Sequence, residues 1–265
     1  MNILVTNDDG INAQGLWTLA RALQDLGSVT VVAPDRDQSG IGAALTLQAV
    51  VRTRDVDPPP VKGIRAIAVE GTPADCVILA AETLVSGPID LVVSGINQGS
   101  NLGLDILVSG TVGAALQGYF RMVPSIAISV ASLTNVQFDA AARTARAMAQ
   151  TLLNSTSGNG FPTPLLLNVN LPNVAPDYIK QVDITRLGPR QFLENVERGT
   201  NGRATHYWIK HNKNINPAVA EGTDIWALRN NHISITPLNG LFGADESASE
   251  FQALADAVAS ELGIG

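Results

Sequence analysis

Short apolar runs alternate with helix-like segments over the first two-thirds of this 265-residue chain. Continuous apolar runs are typical of strands that are buried on both faces of a sheet, and here they are NILVT, SVTVVAP, DLVVSG, PSIAISV and TPLLLNVNLP. Between the first two of them, GLWTLARALQDLG repeats apolar residues at helical spacing and closes on a glycine. Because strands separated by helices need crossover connections, the sequence predicts an α/β fold: a three-layer, mainly parallel sheet between helices.

Two more segments before residue 75 also predict strands, LTLQAVVRTR and IRAIAVEG, with DVDPPPVKG as an antiparallel connection between them. A helix is predicted over GTPADCVILAAETLV. Thr72 is expected to be its N-cap, Pro73 its first residue, and Asp75 the residue that closes its first turn. Later in the chain, GTVGAALQGYF and residues 138–153 predict two further helices.

The character of the sequence changes after about residue 175. DITRLGPRQF, HYWIKHN and HISITPL are typical of β segments separated by polar loops, and a helix is predicted over residues 248–262. We therefore expect a core over residues 1–175 that carries the active site. Residues 176–265 are expected to form a β-rich extension with a C-terminal helix, within one structural unit.

Composition excludes several classes of protein. The net charge is -7 without a dense basic stretch, which argues against a nucleic-acid polymer as partner. The single Cys76 cannot form an internal disulfide, and the three histidines lack zinc-site spacing. No apolar stretch approaches the roughly 20 residues of a membrane span, and the N-terminus does not resemble a signal peptide, so we expect a cytoplasmic protein without a membrane partner.

Polar residues follow several of the predicted strands. Asp8 and Asp9 stand directly behind the first strand and before a glycine. Ligands of open α/β sheets bind beyond the carboxyl ends of the strands, and hard divalent cations prefer oxygen ligands, so the pair is a candidate half of a metal site. The alternative is an ordinary Asp-Gly turn near a helix N-terminus.

Two more loops are expected at the same edge. PDRDQSG follows the second strand and offers oxygens from Asp35, Asp37 and Ser39, although these residues could simply cap a turn. SGINQGSNLG follows a later strand and interleaves Asn97 and Asn101 with glycines, which leave the backbone open to an anion. A purely structural loop is the alternative reading of that segment.

The helix that begins at Ser109, Gly110 and Thr111 offers a different kind of site. Free backbone N–H groups and the helix dipole favour an anion such as phosphate there, whereas simple helix capping is the alternative. Together the four segments supply acids, a hydroxyl, amides and an anion-binding helix start. A cation beside a phosphate pocket, and thus metal-assisted phosphoester hydrolysis, accounts for all of them.

The sequence resembles the SurE family of metal-dependent 5'/3'-nucleotidases and acid phosphatases from Asn2 to about Leu238. Eight motifs occur in the family's order: ILVTNDDGI, VVAPDRDQSG, EGTPADC, DLVVSGINQGSNLG, SGTVGAA, LLNVNLP, TRLG and ITPL. The resemblance implies a Rossmann-like core and a C-terminal extension that is exchanged between subunits of a homodimer or homotetramer. It implies hydrolysis of nucleoside 5'- and 3'-monophosphates, and sometimes of short polyphosphate.

The resemblance also implies roles for individual residues. One divalent cation per subunit (Mg²⁺, Mn²⁺ or Ca²⁺) is expected on Asp8, Asp9, Ser39 and Asn97, and Asp9 is the candidate proton acceptor. Phosphate contacts are expected from Asn101, Ser109, Gly110 and Thr111.

The chain departs from the family pattern at two places. Gln98 stands where a basic residue is usual, and the apolar segment 41–44 replaces polar residues. These departures leave the cation positions intact but affect the expectation for substrate preference, and they keep a nucleotide-binding regulatory protein with a degenerate site as the alternative function. A receiver-like signalling module is disfavoured, because no lysine lies between Lys62 and Lys180 to serve its core strands.

Overall fold

The computed structural model describes residues 1–154, 165–200, 202, 204–214 and 218–239, and the helix predicted over residues 248–262 lies outside them. The strands of this part of the chain are β1 (Asn2–Thr6), β2 (Ser28–Pro34), β3 (Thr53–Asp55), β4 (Arg65–Val69), β5 (Leu91–Gln98), β6 (Ser125–Val130), β7 (Leu166–Leu171), β8 (Gln181–Ile184), β9 (Phe192–Thr200), β10 (Thr205–Asn214) and β11 (His232–Pro237). The α-helices are α1 (Gln14–Leu23), α2 (Pro73–Leu79), α3 (Gly110–Phe120), α4 (Phe138–Asn154) and α5 (Asp224–Arg229).

A single nine-stranded sheet organises the fold, in the order β3-β4-β2-β1-β5-β6-β7-β11-β8. The six strands from β4 to β7 in that order run parallel. Strand β3 pairs antiparallel with β4, and β11 pairs antiparallel with β7. The prediction of an α/β fold with a mainly parallel sheet and β structure in the C-terminal third is confirmed.

Helices cover both faces of the sheet. Helices α1 and α4 pack on each other and on β5, while α2 and α3 pack on each other from the other face. The fully buried side chains of Leu16, Leu19 and Leu23 form the inner stripe of α1, at the spacing of an amphipathic helix. Helix α2 begins as predicted: Thr72 Oγ1 accepts from the Asp75 N–H, and the Asp75 carboxylate accepts from the Thr72 N–H.

The order of the strands fixes where a ligand can enter. From β1 the chain proceeds outward to β2 and β4, then returns to the other side of β1 and continues through β5, β6 and β7. The switch in direction lies between β1 and β5, and open α/β sheets bind ligands in the crevice beyond the carboxyl ends of the strands at such a switch. Asp8 and Asp9 follow β1, and Asn97 lies at the end of β5.

The strand predicted over LTLQAVVRTR is wrong for most of its length. Only residues 53–55 pair with the sheet, and the segment before them exposes Leu47 to 82% and Val50 to 76%. Its apolar residues resemble a strand in composition, but they lie on the surface instead of in a ladder. Helix α5 was not predicted, because six residues are too few to show a helical period, although Thr223 caps it by accepting from the Trp226 N–H.

The part after residue 175 contributes in two ways. Strands β8 and β11 extend the central sheet, whereas β9 and β10 form a separate two-stranded antiparallel sheet. The proposed boundary at residue 175 stays a prediction. None of the helices in the described ranges has the length and apolar character that crossing a bilayer requires.

Close packing of α1 against the end of β5 makes Gly15 a sensitive position. A Cβ at Gly15 would lie 2.1 Å from the Ile96 carbonyl oxygen. We expect Gly15→Ala to lower the free energy of unfolding by about 1–3 kcal/mol, because the backbone of one element must move. Urea unfolding would measure this. The control is Arg21→Ala on the exposed face of α1, which should change stability by less than about 0.5 kcal/mol; equal effects of the two variants would contradict the packing argument.

Candidate active site

The loop after β1 is held in shape by Asn7, which is fully buried. Its Nδ2 donates to the Gly10 carbonyl at 3.1 Å, and its Oδ1 accepts from the Gly10 N–H at 3.2 Å. Gly10 has φ +96°, and a Cβ there would lie 2.9 Å from the Arg36 carbonyl carbon, so only glycine fits without strain. The resulting turn presents Asp8 and Asp9 between the two residues that close it.

The loop after β2 is bonded directly to this turn. The Gln38 N–H donates to the Asp8 carbonyl at 2.8 Å, and the Ile11 N–H donates to the Pro34 carbonyl at 2.7 Å. The sequence prediction that the loops after β1 and β2 meet at one edge is therefore confirmed by backbone contacts.

Asp8 lies against the start of α3. It is 4% exposed, and its Oδ1 accepts a 2.6 Å hydrogen bond from Thr111 Oγ1. A Cβ at Gly110 would lie 2.8 Å from Asp8 Cβ, so glycine is what lets the helix approach so closely. Burial raises the pKa of Asp8, while the Thr111 hydrogen bond opposes that rise. The sequence placed Asp8 and Thr111 at the same edge but did not predict their direct contact.

Asp9 is less buried than Asp8 and faces the end of β5. The Gln98 N–H donates to its Oδ2 at 3.4 Å, which is a long hydrogen bond. Burial, together with repulsion from Asp8, raises the pKa of Asp9 to about 7. Within the described ranges, neither carboxylate forms an ion pair with a lysine or arginine.

Ser39 and Asn97 each use one polar group for a local contact. Ser39 Oγ donates to Asp37 Oδ1 at 2.6 Å, which leaves its oxygen lone pairs available. Asn97 Nδ2 donates to the Gly99 carbonyl at 2.7 Å, so its amide group is oriented and its Oδ1 is left as the available acceptor. Asp37 also lies near enough to Asp8 and Asp9 to raise the pKa of both carboxyl groups.

This donor set has the chemistry of a hard-cation site. Its atoms are oxygens from two carboxylates, a hydroxyl and an amide. Because Asp8 is buried, Asp9 is half-buried and neither has a basic partner in the described ranges, the pair is neutralised either by protonation or by a bound cation. Among the described residues, no group of three or more His, Cys, Asp or Glu side chains is placed to hold a metal ion. The predicted ligand set contains two acids, Asp8 and Asp9, beside a serine and an asparagine, and it stays a prediction.

The three residues at the start of α3, 109–111, make different contacts. Ser109 Oγ accepts from the Val112 N–H at 3.2 Å, which is the capping role that the sequence left open as an alternative. Thr111 is engaged with Asp8. Among the described residues, the N–H of Gly110 has no acceptor, so it is the donor that remains for an anion at this helix start.

Asn101 lies beyond β5 and is bonded to the neighbouring strands. Its Nδ2 donates to Ser129 Oγ at 2.9 Å, and its N–H donates to Asn170 Oδ1 at 2.8 Å. Sequence reasoning missed Ser129 and Asn170. The motif LLNVNLP contains two asparagines within a buried strand, and that unusual pairing was the signal available to find them.

Comparison with known proteins identifies the family. The family model described as "Survival protein SurE" matches residues 3–194. The chain belongs to the SurE family. It is 44% identical over 242 residues to the 5'-nucleotidase SurE of Dehalococcoides mccartyi strain CBDB1, covering 90% of this chain and 89% of that protein. It is 41% identical over 265 residues to the 5'-nucleotidase SurE of Actinobacillus pleuropneumoniae serotype 5b, covering 97% and 99%.

A solved structure shows the same fold. The crystal structure of the SurE protein from Aquifex aeolicus matches with a TM-score of 0.73 and 39% sequence identity, covering 90% of this chain and 93% of that chain. Membership of the SurE family confirms the resemblance seen in the ordered motifs. The roles of individual residues in this chain stay predictions.

Gln98 and the apolar segment 41–44, which are the two departures expected from the resemblance, lie beside Asp9 and beside the start of α3, respectively. The backbone of Gln98 contacts Asp9. Ile41, at the start of the apolar segment 41–44, is 37% exposed, and its Cγ2 would lie 3.2 Å from a Cβ on Gly110. The apolar segment 41–44 thus borders the start of α3.

Removing the Thr111 hydroxyl should leave Asp8 Oδ1 without its side-chain hydrogen bond. In Thr111→Val the side-chain hydrogen bond is lost while the shape is kept, so we expect stability in chelator to fall by about 1–3 kcal/mol at pH 7. Thr111→Ser keeps the hydroxyl and is the matched control. Urea unfolding of the three proteins measures the effect, and a Val variant as stable as the Ser variant would show that the hydrogen bond contributes little.

The raised pKa of Asp9 predicts a pH-dependent effect of Asp9→Asn. The folded protein binds this proton more tightly than the unfolded chain, so the carboxyl group's contribution to stability falls as pH rises from about 4 to about 7. In chelator at pH 8, Asp9→Asn should therefore be more stable than wild type by about 1–3 kcal/mol, a range that takes the partial exposure of Asp9 into account. This difference in the free energy of unfolding should vanish near pH 4.

Thermal unfolding between pH 4 and pH 8 would test this. Asp25→Asn is the control, because exposed Asp25 is paired with Arg146, which lowers its pKa. That variant should be slightly less stable at neutral pH. If the difference in stability between wild type and Asp9→Asn does not change with pH, the raised pKa of Asp9 is contradicted.

Proposed function

We propose that this chain is a metal-dependent phosphomonoesterase that hydrolyses nucleoside 5'-monophosphates to nucleoside and phosphate. Nucleoside 3'-monophosphates and short polyphosphate are proposed as further substrates. The names of its SurE relatives, which are 5'-nucleotidases, support the reaction class. The observation that carries the proposal is the adjacent pair Asp8 and Asp9 at the switch point of the sheet, of which Asp8 is buried and contacts Thr111 at the start of α3.

One divalent cation per subunit is proposed to bind to Asp8, Asp9, Ser39 and Asn97, with Mg²⁺, Mn²⁺ and Ca²⁺ as candidates. All four residues offer oxygen, and the carboxylates lack a basic partner in the described ranges. When bound, such a cation holds a phosphoryl oxygen and lowers the pKa of a water molecule. The Thr111 hydrogen bond favours the ionised form of Asp8 against the opposing effect of burial, and the Gly99 carbonyl keeps the Asn97 oxygen oriented for binding.

The remaining residues are proposed to act on the phosphate. The Gly110 N–H and the Asn101 side chain donate to the equatorial oxygens, where negative charge develops during transfer. Thr111 and Ser109 act indirectly, the first through Asp8 and the second by capping α3. Asp9 is proposed to accept the proton of the attacking water, because it is the more exposed of the two carboxylates.

Assembly and location complete the proposal. We place the protein in the cytoplasm, as a homodimer or homotetramer joined through residues 176–265. The hairpin of β9 and β10 supports an interface, because it pairs with no other strand among the described residues and exposes Tyr207 to 61%, Trp208 to 55% and Ile209 to 73%. An isolated two-stranded hairpin is marginal in water, and exposed apolar patches commonly mark contact surfaces.

Phosphate release from a panel of substrates tests the function. Wild type should release phosphate from nucleoside 5'- and 3'-monophosphates with Mg²⁺ or Mn²⁺, and excess chelator should abolish the release. Asp9→Asn should lower kcat/KM by at least about 100-fold, since it removes a charge that acts on the cation and on the proton. Asp25→Asn, an exposed acid after α1, should retain activity.

Three results would overturn parts of the proposal. Release that persists in chelator would contradict the role of the cation. Nucleotide binding without release, with every cation tested, would favour a nucleotide-binding regulatory protein with a degenerate site. Full activity of Asp9→Asn would mean that the catalytic group lies elsewhere.

A further inference from the structure

Asn101 is held by three buried polar residues of β6 and β7, which we call the Asn101 support: Ser129, Asn168 and Asn170. The Asn101 N–H donates to Asn170 Oδ1 at 2.8 Å. Its carbonyl accepts from Asn168 Nδ2 at 2.8 Å and from Asn170 Nδ2 at 2.9 Å. Its side-chain Nδ2 donates to Ser129 Oγ at 2.9 Å. Both backbone groups and one side-chain group of Asn101 are thus fixed by the sheet.

The placement of the support follows from strand geometry. Asn168 and Asn170 are two residues apart on β7, so their side chains lie on the same face of the sheet. Ser129 is the register partner of Asn170 on β6. All three support residues are fully buried. They come from β6, which neighbours β5, and from β7, the strand beyond it, at the same sheet edge as the carboxylate pair.

Stability alone does not account for these residues. Asn168 Oδ1 is buried without a hydrogen-bond partner among the described residues, and the side chain's hydrogen bond is the one it gives to the Asn101 carbonyl. An unsatisfied buried polar group costs about 1–3 kcal/mol. An apolar residue at this position of the buried strand β7 would avoid that cost. The asparagine is therefore explained better by what it does to Asn101 than by packing.

We propose that Asn168 and Asn170 are positioning residues for catalysis, which act by holding Asn101 in the conformation that contacts the phosphate. The inference rests on the proposed function, in which Asn101 donates to the phosphoryl group. A donor whose backbone and side chain are already fixed does not have to reorganise as charge develops on the phosphate oxygens. Loss of one support residue should cost activity without removing any group that touches substrate.

Kinetics with adenosine 5'-monophosphate and Mn²⁺ test the proposal. Asn170→Ala and Asn168→Ala should each lower kcat by about 10–100-fold with a smaller change in KM, the usual scale for residues that orient a catalytic group. The affinity for Mn²⁺ should not change, because neither residue contacts the proposed cation ligands. Ser129→Ala removes one oxygen and little volume, so it provides the same test if an asparagine variant does not fold.

A double-mutant cycle separates positioning from general damage. In an Asn101→Ala background, Asn170→Ala should cause almost no further loss of kcat, because its effect passes through the Asn101 side chain. The matched control is Ser234→Ala. Ser234 is a fully buried register partner of Asn170 on β11, and it bonds to Thr185 instead of Asn101. The kcat of Ser234→Ala should stay near the wild-type value.

Three results would overturn the positioning role. They are an additive loss in the Asn101→Ala background, an equal loss from Ser234→Ala, and wild-type kcat in the Asn170→Ala and Ser129→Ala variants.

If wild type releases no phosphate, the proposed function fails, and the positioning role is then tested by calorimetry with inorganic phosphate and Mn²⁺. Asn170→Ala should then weaken phosphate binding about 10-fold or more; unchanged affinity, or no phosphate binding by wild type, would overturn the inference as well.

Discussion

The contact between Asp8 and the start of α3 is the constraint on which the rest of the site depends. It brings the buried Asp8 carboxylate, in the loop after β1, to within 2.6 Å of the Thr111 hydroxyl at the start of α3. The contact requires Gly110, because a side chain there would collide with Asp8. It also leaves buried Asp8 and half-buried Asp9 as neighbouring acids, an arrangement that is stable only if protons or a cation neutralise it.

Hydrogen bonds join the loops around this contact to one another and to the strands. Asn7 closes the turn that carries the acids, the backbone of Gln38 bonds to Asp8, and Gln98 bonds to Asp9. On the far side, Asn101 is bonded to β6 and β7. Loops that are pinned to rigid strands hold functional groups with little freedom, which is what preorganised electrostatic catalysis requires.

Much of this could be predicted from local sequence, because the relevant signals are local. Buried parallel strands show as apolar runs, so β1, β2, β5, β6 and β7 were predicted in place. The residues after those strands were predicted to meet because parallel strands share one carboxyl edge. Residues 45–52 mimic a buried strand, and the sequence cannot show that no neighbouring strand is available to pair with them.

What the sequence by itself determined is the class of fold, the family and the edge of the sheet where the oxygen-bearing residues gather. The tertiary structure decided which of those residues touch. In the structure Thr111 donates a hydrogen bond to Asp8, and Ser109 caps α3. Asn168 and Asn170 both donate to the Asn101 carbonyl. The physical reason is that hydrogen bonds between residues about 70 to 100 positions apart depend on strand register and helix approach, and neither is written in a local pattern.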